Sequence, residues 1–128
     1  MNRINWDTLS RIFIGVLFVY AGIGKLMNFG GTNTYINSVL NTGAITPIVT
    51  LIVIFIEIVV ATVYILGKYK KDTSAYILIC FTALATLLFH SDMSKDVNVL
   101  MSFKNLAIIG GIFATMDGVH RRRNAQDF

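Results

Sequence analysis

The chain has 128 residues, 55% of them hydrophobic and 14% charged, with a mean hydropathy of +0.66. That length holds one domain, and that apolarity excludes an ordinary soluble globule in favour of a membrane protein. The formal charge of +4, from 11 Lys and Arg against 7 Asp and Glu, does not mark a nucleic-acid interface, because the basic residues collect at the edges of apolar stretches.

A single proline, Pro47, and the absence of short alternating strands favour helices over a barrel. Those are the two architectures that satisfy every backbone group in lipid. The expected fold class is all-α, an integral membrane four-helix bundle forming one domain over 1–128. The one cysteine, Cys80, excludes an internal disulfide and a Cys-x-x-Cys couple, and its place in an apolar helix suits a small packing residue.

In chain order, Arg3, Trp6, Asp7 and Arg11 form a polar lead with an aromatic suited to the headgroup level. The first span is expected over 12–29. Reading 12–24 as a signal-peptide core fails for want of a small-x-small cleavage site and because Lys25 interrupts it, so the stretch is expected to be an anchor. A segment rich in Asn, Thr and Gly follows, with Tyr35, Ile36, Val39 and Leu40 at helical spacing ahead of Gly43. This predicts a short interfacial helix between spans 1 and 2, lying on the membrane and ended by glycine.

The second span, 47–66, reads PIVTLIVIFIEIVVATVYIL and carries one charge, Glu57, near its middle. Pro47 stands in the first turn, where its missing N–H costs nothing. GKYKKD is a tight basic turn, the third span is expected over 73–90, SDMSKDVN is a polar loop, and the fourth span is expected over 99–119. The tail HRRRNAQDF is polar and expected to be mobile.

Orientation follows from the cations outside the spans. Arg3, Arg11, Lys68, Lys70, Lys71, Arg121, Arg122 and Arg123 fall on the side with both termini, against Lys95 alone on the other. The positive-inside rule then places both termini in the cytoplasm, of a cell membrane if the source is bacterial, as an even number of spans requires.

A carboxylate at bilayer depth needs partners. At 1.5 Å per residue from the termini-side edge of each span, Glu57 lies about 15 Å deep, Lys25 and Lys104 about 21 Å and His90 about 25 Å. All fall in the outer half, with Asn105 beside Lys104. Two readings follow. In the structural one, Glu57 and Lys104 form a helix-to-helix bridge while Lys25 and His90 snorkel to the interface. In the other, Lys25, Glu57, His90, Lys104 and Asn105 line a ligand pocket open to the outer face. Lys25 and Lys104 are its anchors, Glu57 holds them, His90 stands at the mouth and the interfacial helix forms a lid. The excess of cations over one glutamate favours the pocket.

At the other edge, Arg11 and Asp117 are expected to form a structural ion pair that fixes helix register. Glycines 15, 22, 24, 110 and 111 suit close helix approach in lipid. AGIGK lacks the upstream glycine and the following Ser or Thr of a phosphate loop. The spacing of His90, Asp92 and Asp96 is a poor metal pattern, so no metal site is expected. No second intramembrane histidine exists to ligate a haem with His90.

Arg11, Gly15, Phe18, Ala21, Gly22 and Lys25, the Pro47 entry, Glu57, Leu66 with Gly67, Phe89 with His90, and Lys104, Asn105, Gly110 and Gly111 together resemble the DoxX family of small four-span membrane proteins. The resemblance covers nearly the whole chain and lies in the order and spacing of several charged positions. Where many relatives have a Thr-Arg pair after the Leu-Gly turn, this chain has 68–72 as KYKKD. The family is similar in architecture to a subunit of a thiosulfate and quinone oxidoreductase, to bacterial proteins associated with quinone and oxidative stress, and more distantly to eukaryotic cargo-receptor and receptor-chaperone proteins.

The resemblance implies a quinone-linked or redox-associated membrane subunit, with quinone as a non-covalent cofactor bound by Lys25, His90, Lys104 and Asn105. Lacking a cysteine couple, haem ligands or a dinucleotide fingerprint, it would be at most a subunit that takes electrons from a partner, with no catalytic residue assigned. The alternative is a non-enzymatic accessory, chaperone-like or lipid- or small-anion-binding protein. The expected partners are the lipid bilayer, a redox or other membrane protein and no nucleic acid, with homo-oligomerisation open. Transport is disfavoured, because there are no paired interrupted helices.

Overall fold

The computed structural model describes residues 5–67, 71–90, 92 and 94–126, with side chains described throughout except at 71 and 117–126. The described residues are almost entirely helical and contain no strand. Helix α1 runs over Trp6–Met27, α2 over Phe29–Leu40, α3 over Thr46–Phe55, α4 over Ala61–Leu66, α5 over Lys71–Phe89 and α6 over Asp96–Gln126. Four stretches among them are long and apolar enough to cross a membrane: Trp6–Met27, Gly43–Leu66, Asp72–Phe89 and Asp96–Met116. The chain is a multi-pass membrane protein.

Local chemistry explains most boundaries. Asn5 caps α1, its side chain accepting from the Thr8 amide at 3.2 Å, and Asp7 in the first turn complements the helix dipole. The expected polar lead is thus the first turns of the span. Helix α2 starts at once after Asn28 and is longer than the apolar residues alone suggest. Its stop is Asn41, which is left-handed at φ 58 and ψ 42, so Gly43 is not the terminator the sequence reading expects. Asparagine is the side-chain-bearing residue that tolerates this cap best. Below it, Thr46 is buried and bonds the Gly43 carbonyl at 2.7 Å, fixing the entry to the second span.

The second span is not the uninterrupted α-helix that its composition predicts. Between α3 and α4 the residues Ile56–Val60 form one π turn, which contains Glu57. At the far end Gly67, at φ 64, closes α4 by donating to the Val63 carbonyl at 3.2 Å. Helix α6 continues into the polar tail as far as Gln126.

The spans pack as a ring. Helix α1 lies against the second span and α6, and α5 lies against α6 and the second span. Phe18, Ala61, Tyr64, Ala75, Leu78, Ile112 and Met116 form the core in the half nearer the termini. There the Tyr64 hydroxyl meets Thr115 Oγ1 at 2.8 Å, joining diagonal helices. Gly15 seats Ile65 and the Ala61 carbonyl, Gly22 seats Glu57 and Ile58, and Gly111 seats Ile14. Gly24 and Gly110 face open space, contrary to the expectation that all five glycines serve helix approach. Phe13, Tyr20, Phe55, Leu87, Leu100 and Phe103 point outward, as a lipid-facing belt requires.

Candidate functional site

Above the apolar core, at the end remote from the termini, the four spans enclose a cavity of about 290 Å³. Lys25, Glu57, His90, Lys104 and Asn105 all line it, so residues far apart in sequence share one space. The remaining wall is largely apolar and aromatic, including Phe18, Phe81, Phe89 and Tyr35.

Lys25 stands in the last turn of α1, where a cation complements the dipole. Its Nζ donates to Glu57 Oε1 at 2.9 Å. Glu57 is 5% exposed, whereas the Lys25 side chain remains 33% exposed. The pair forms because Gly22, one turn before Lys25, carries no Cβ: one placed there would lie 2.9 Å from Glu57 Cβ. The second carboxylate oxygen, Oε2, is buried and has no hydrogen-bond partner among the described residues.

Lys104 enters the lining from α6. It is exposed and makes no ion pair or hydrogen bond with a described residue. Of the two lysines expected as partners of Glu57, Lys25 forms the bridge and Lys104 does not, so Lys25 does not snorkel away as the structural reading expects. Nor does Glu57 hold both lysines. The physical reason is the π turn, which sets Glu57 against α1, while α6 packs on α1 and α5.

Asn105 has a structural tie as well as a place in the lining. Its Nδ2 donates to Thr86 Oγ1 at 2.8 Å, and Thr86 in turn donates to the Thr82 carbonyl at 2.7 Å, so the amide links α6 to α5. His90 follows the last turn of α5. Its Nδ1 lies 3.3 Å from Asn98 Oδ1, and its carbonyl accepts from Ser102 Oγ at 3.3 Å. Asn98 Nδ2 donates to the Asp92 carbonyl at 3.0 Å, tying the loop to the same point. In that loop Asp92 Oδ1 accepts from the Ser94 hydroxyl at 2.5 Å and amide at 3.2 Å, which holds the Asp92 carboxyl below the usual value of 3.8.

Helix α2 covers the cavity and does not merely rest on the lipid surface. Ile36 is buried and lines the cavity, and Tyr35 stacks on Phe89 with ring centres 5.5 Å apart. This is the lid that the pocket reading expects of the interfacial helix. The sequence reading misses Asn98 and Thr86, whose only signal is a polar residue on an apolar helix one to two turns from a predicted site residue.

At the opposite end, Arg11 Nη2 lies 3.1 Å from both Asp7 Oδ2 and Thr8 Oγ1, and its guanidinium rests against Gly67. The Asp117 side chain, and with it the expected Arg11 and Asp117 pair, lies outside the described residues. So do Lys68 and Lys70 of the basic turn. Among the described residues no three His, Cys, Asp or Glu side chains cluster as metal ligands would.

The family model described as DoxX matches residues 7–91. That segment contains Lys25, Glu57 and His90 and stops short of α6, which supplies Lys104 and Asn105. The inner membrane protein YqjF of Escherichia coli (strain K12) is 35% identical over 103 residues, covering 80% of this chain and 75% of that protein. No solved structure matches the chain.

Proposed function

The chain belongs to the DoxX family, and from that premise we propose that its cavity holds a quinone or quinol head group, making the protein a quinone-linked membrane subunit. The observation that carries the reading is a lining with polar capacity left unused: among the described residues Lys104 has no ion-pair or hydrogen-bond partner, and Glu57 Oε2 is a buried acceptor without a donor. A head group with ring oxygens fits both, because lysine donates to carbonyl or hydroxyl oxygens and the carboxylate accepts from a hydroxyl. The aromatic side chains around the cavity suit a flat ring, and the volume is at the small end for ligand sites.

A bound quinone would supply two-electron, two-proton redox chemistry. The chain's own residues would bind and orient it: Lys104 and Lys25 by charge, Glu57 by accepting a hydrogen bond, and α2 by excluding water. Electrons would come from a redox or other membrane-protein partner, which makes this chain a subunit and not a complete enzyme.

The orientation that fits the reading has both termini in the cytoplasm, supported by the cation bias across the membrane. Cysteines placed singly at Asn33 and Asn124 in a Cys80→Ala background test it. Labelling of the Asn124 position, and not the Asn33 position, by an impermeant outside reagent contradicts it.

A second reading, an accessory protein whose cavity takes a lipid or small anion, is favoured by one observation. The Lys25 and Glu57 bridge and the Asn105 and Thr86 bond tie the helices together through the protein's own side chains. Protein extracted gently from its own membranes separates the two readings. The quinone reading expects bound quinone or a co-purifying redox partner, and recovery of neither contradicts it.

A further inference from the structure

Resting on the quinone reading, we infer that Glu57 makes the site selective for redox state, holding the quinol more tightly than the quinone through a hydrogen bond from the quinol hydroxyl to Oε2.

The argument is one of unmatched donors and acceptors. We read the 2.9 Å contact with Lys25 as an ion pair, in which Glu57 is a carboxylate and only accepts. One oxygen is taken by Lys25 Nζ at 2.9 Å, and the other is buried with no donor among the described residues. Among the described side chains lining the cavity, Glu57 alone carries such an atom. A quinone carbonyl has lone pairs to offer and no proton, so beside Oε2 it sets acceptor against acceptor. A quinol hydroxyl supplies the missing donor, and a hydrogen bond to a charged group in a site shielded from water is among the strong ones.

The lysines do not discriminate in this way, since an ammonium donates to carbonyl and hydroxyl oxygens alike. Lys104 and the aromatic side chains therefore set the affinity common to both forms, and Glu57 sets the difference. A charged hydrogen bond gained by one form alone corresponds to roughly a 10- to 100-fold difference in affinity. Because the oxidised form takes up two electrons and two protons to become the reduced one, tighter binding of the quinol raises the midpoint potential of the bound couple by about 30 mV per tenfold.

The test uses the full chain in lipid nanodiscs under anaerobic conditions. Three probes compete for the site: a short-chain substituted benzoquinone, its quinol, and the dimethyl ether of that quinol, which keeps the ring and loses both hydroxyl donors. The quinol is expected to bind at least about 10-fold more tightly than the quinone, with the ether no better than the quinone. Glu57→Gln, whose amide both donates and accepts, is expected to bring quinone and quinol toward equal affinity. Equal binding of quinone and quinol by the wild type, or ether binding as tight as quinol binding, overturns the inference while leaving the quinone reading standing. Binding of none of the three probes removes the quinone reading itself. The ether comparison needs no variant, so it decides the matter even where Glu57→Gln fails to fold.

Discussion

Glu57 is a charge that the membrane tolerates because Lys25 reaches it. The carboxylate is nearly fully buried and the ammonium only partly so, which makes the pair asymmetric: losing the lysine strands a buried anion, whereas losing the glutamate leaves a cation that can still find solvent. Lys25→Met should therefore destabilise the bundle by about 1–3 kcal/mol, the usual cost of a buried polar group left unpaired. Glu57→Gln should cost less, and the double variant less than Lys25→Met alone. Thermal unfolding in a mild detergent, arranged as a double-mutant cycle, measures the coupling. Additive effects of the two substitutions would mean that the bridge has no energetic reality. The composition of this site is legible in the sequence, because intramembrane charges are costly enough to be kept only in company. The pairing is not, since depth along a helix says nothing about which of two lysines at similar height an acid will meet.

At the level of elements, the π turn over Ile56–Val60 and the glycine opposite it decide that pairing. A Cβ at Gly22 would lie 2.7 Å from Ile58 Cγ1 and 2.9 Å from Glu57 Cβ, so α1 would have to withdraw from the second span just where the ion pair forms. Gly22→Ala should destabilise by about 1–3 kcal/mol. Gly24→Ala, two residues on and facing open space, should be neutral or gain up to about 1 kcal/mol of helix propensity. Thermal scans of the two variants side by side check this, and equal effects would contradict the close approach at Gly22. Span positions could be read from apolar run length, as could Pro47 in the first turn of the second span. The π turn could not, because a run of Ile and Val reads the same whether or not it carries one extra residue per turn. For helix α2 the sequence leaves two surfaces open for a related reason: helical spacing of Tyr35, Ile36, Val39 and Leu40 reveals an apolar face without saying whether lipid or the pocket lies beneath it.

For the whole molecule, the division of labour is vertical. The half nearer the termini is a packed apolar core closed by Tyr64 and Thr115, and the other half is a cavity roofed by α2 and lined by polar groups from all four spans. Filling that cavity should leave the core and the ring of helices in place while displacing a ligand, which allows function to be separated from folding. Quinone content, measured by mass spectrometry on protein extracted gently from its own membranes, is the most direct measurement, comparing the wild type with Ala85→Phe, which fills the cavity, and Lys104→Met, which removes a lysine from its lining. The cavity reading predicts quinone at close to one per chain in the wild type and its loss in both variants, with helix content and monodispersity unchanged. Equal quinone content in all three proteins, or none in a wild type that also carries no redox partner, would contradict it.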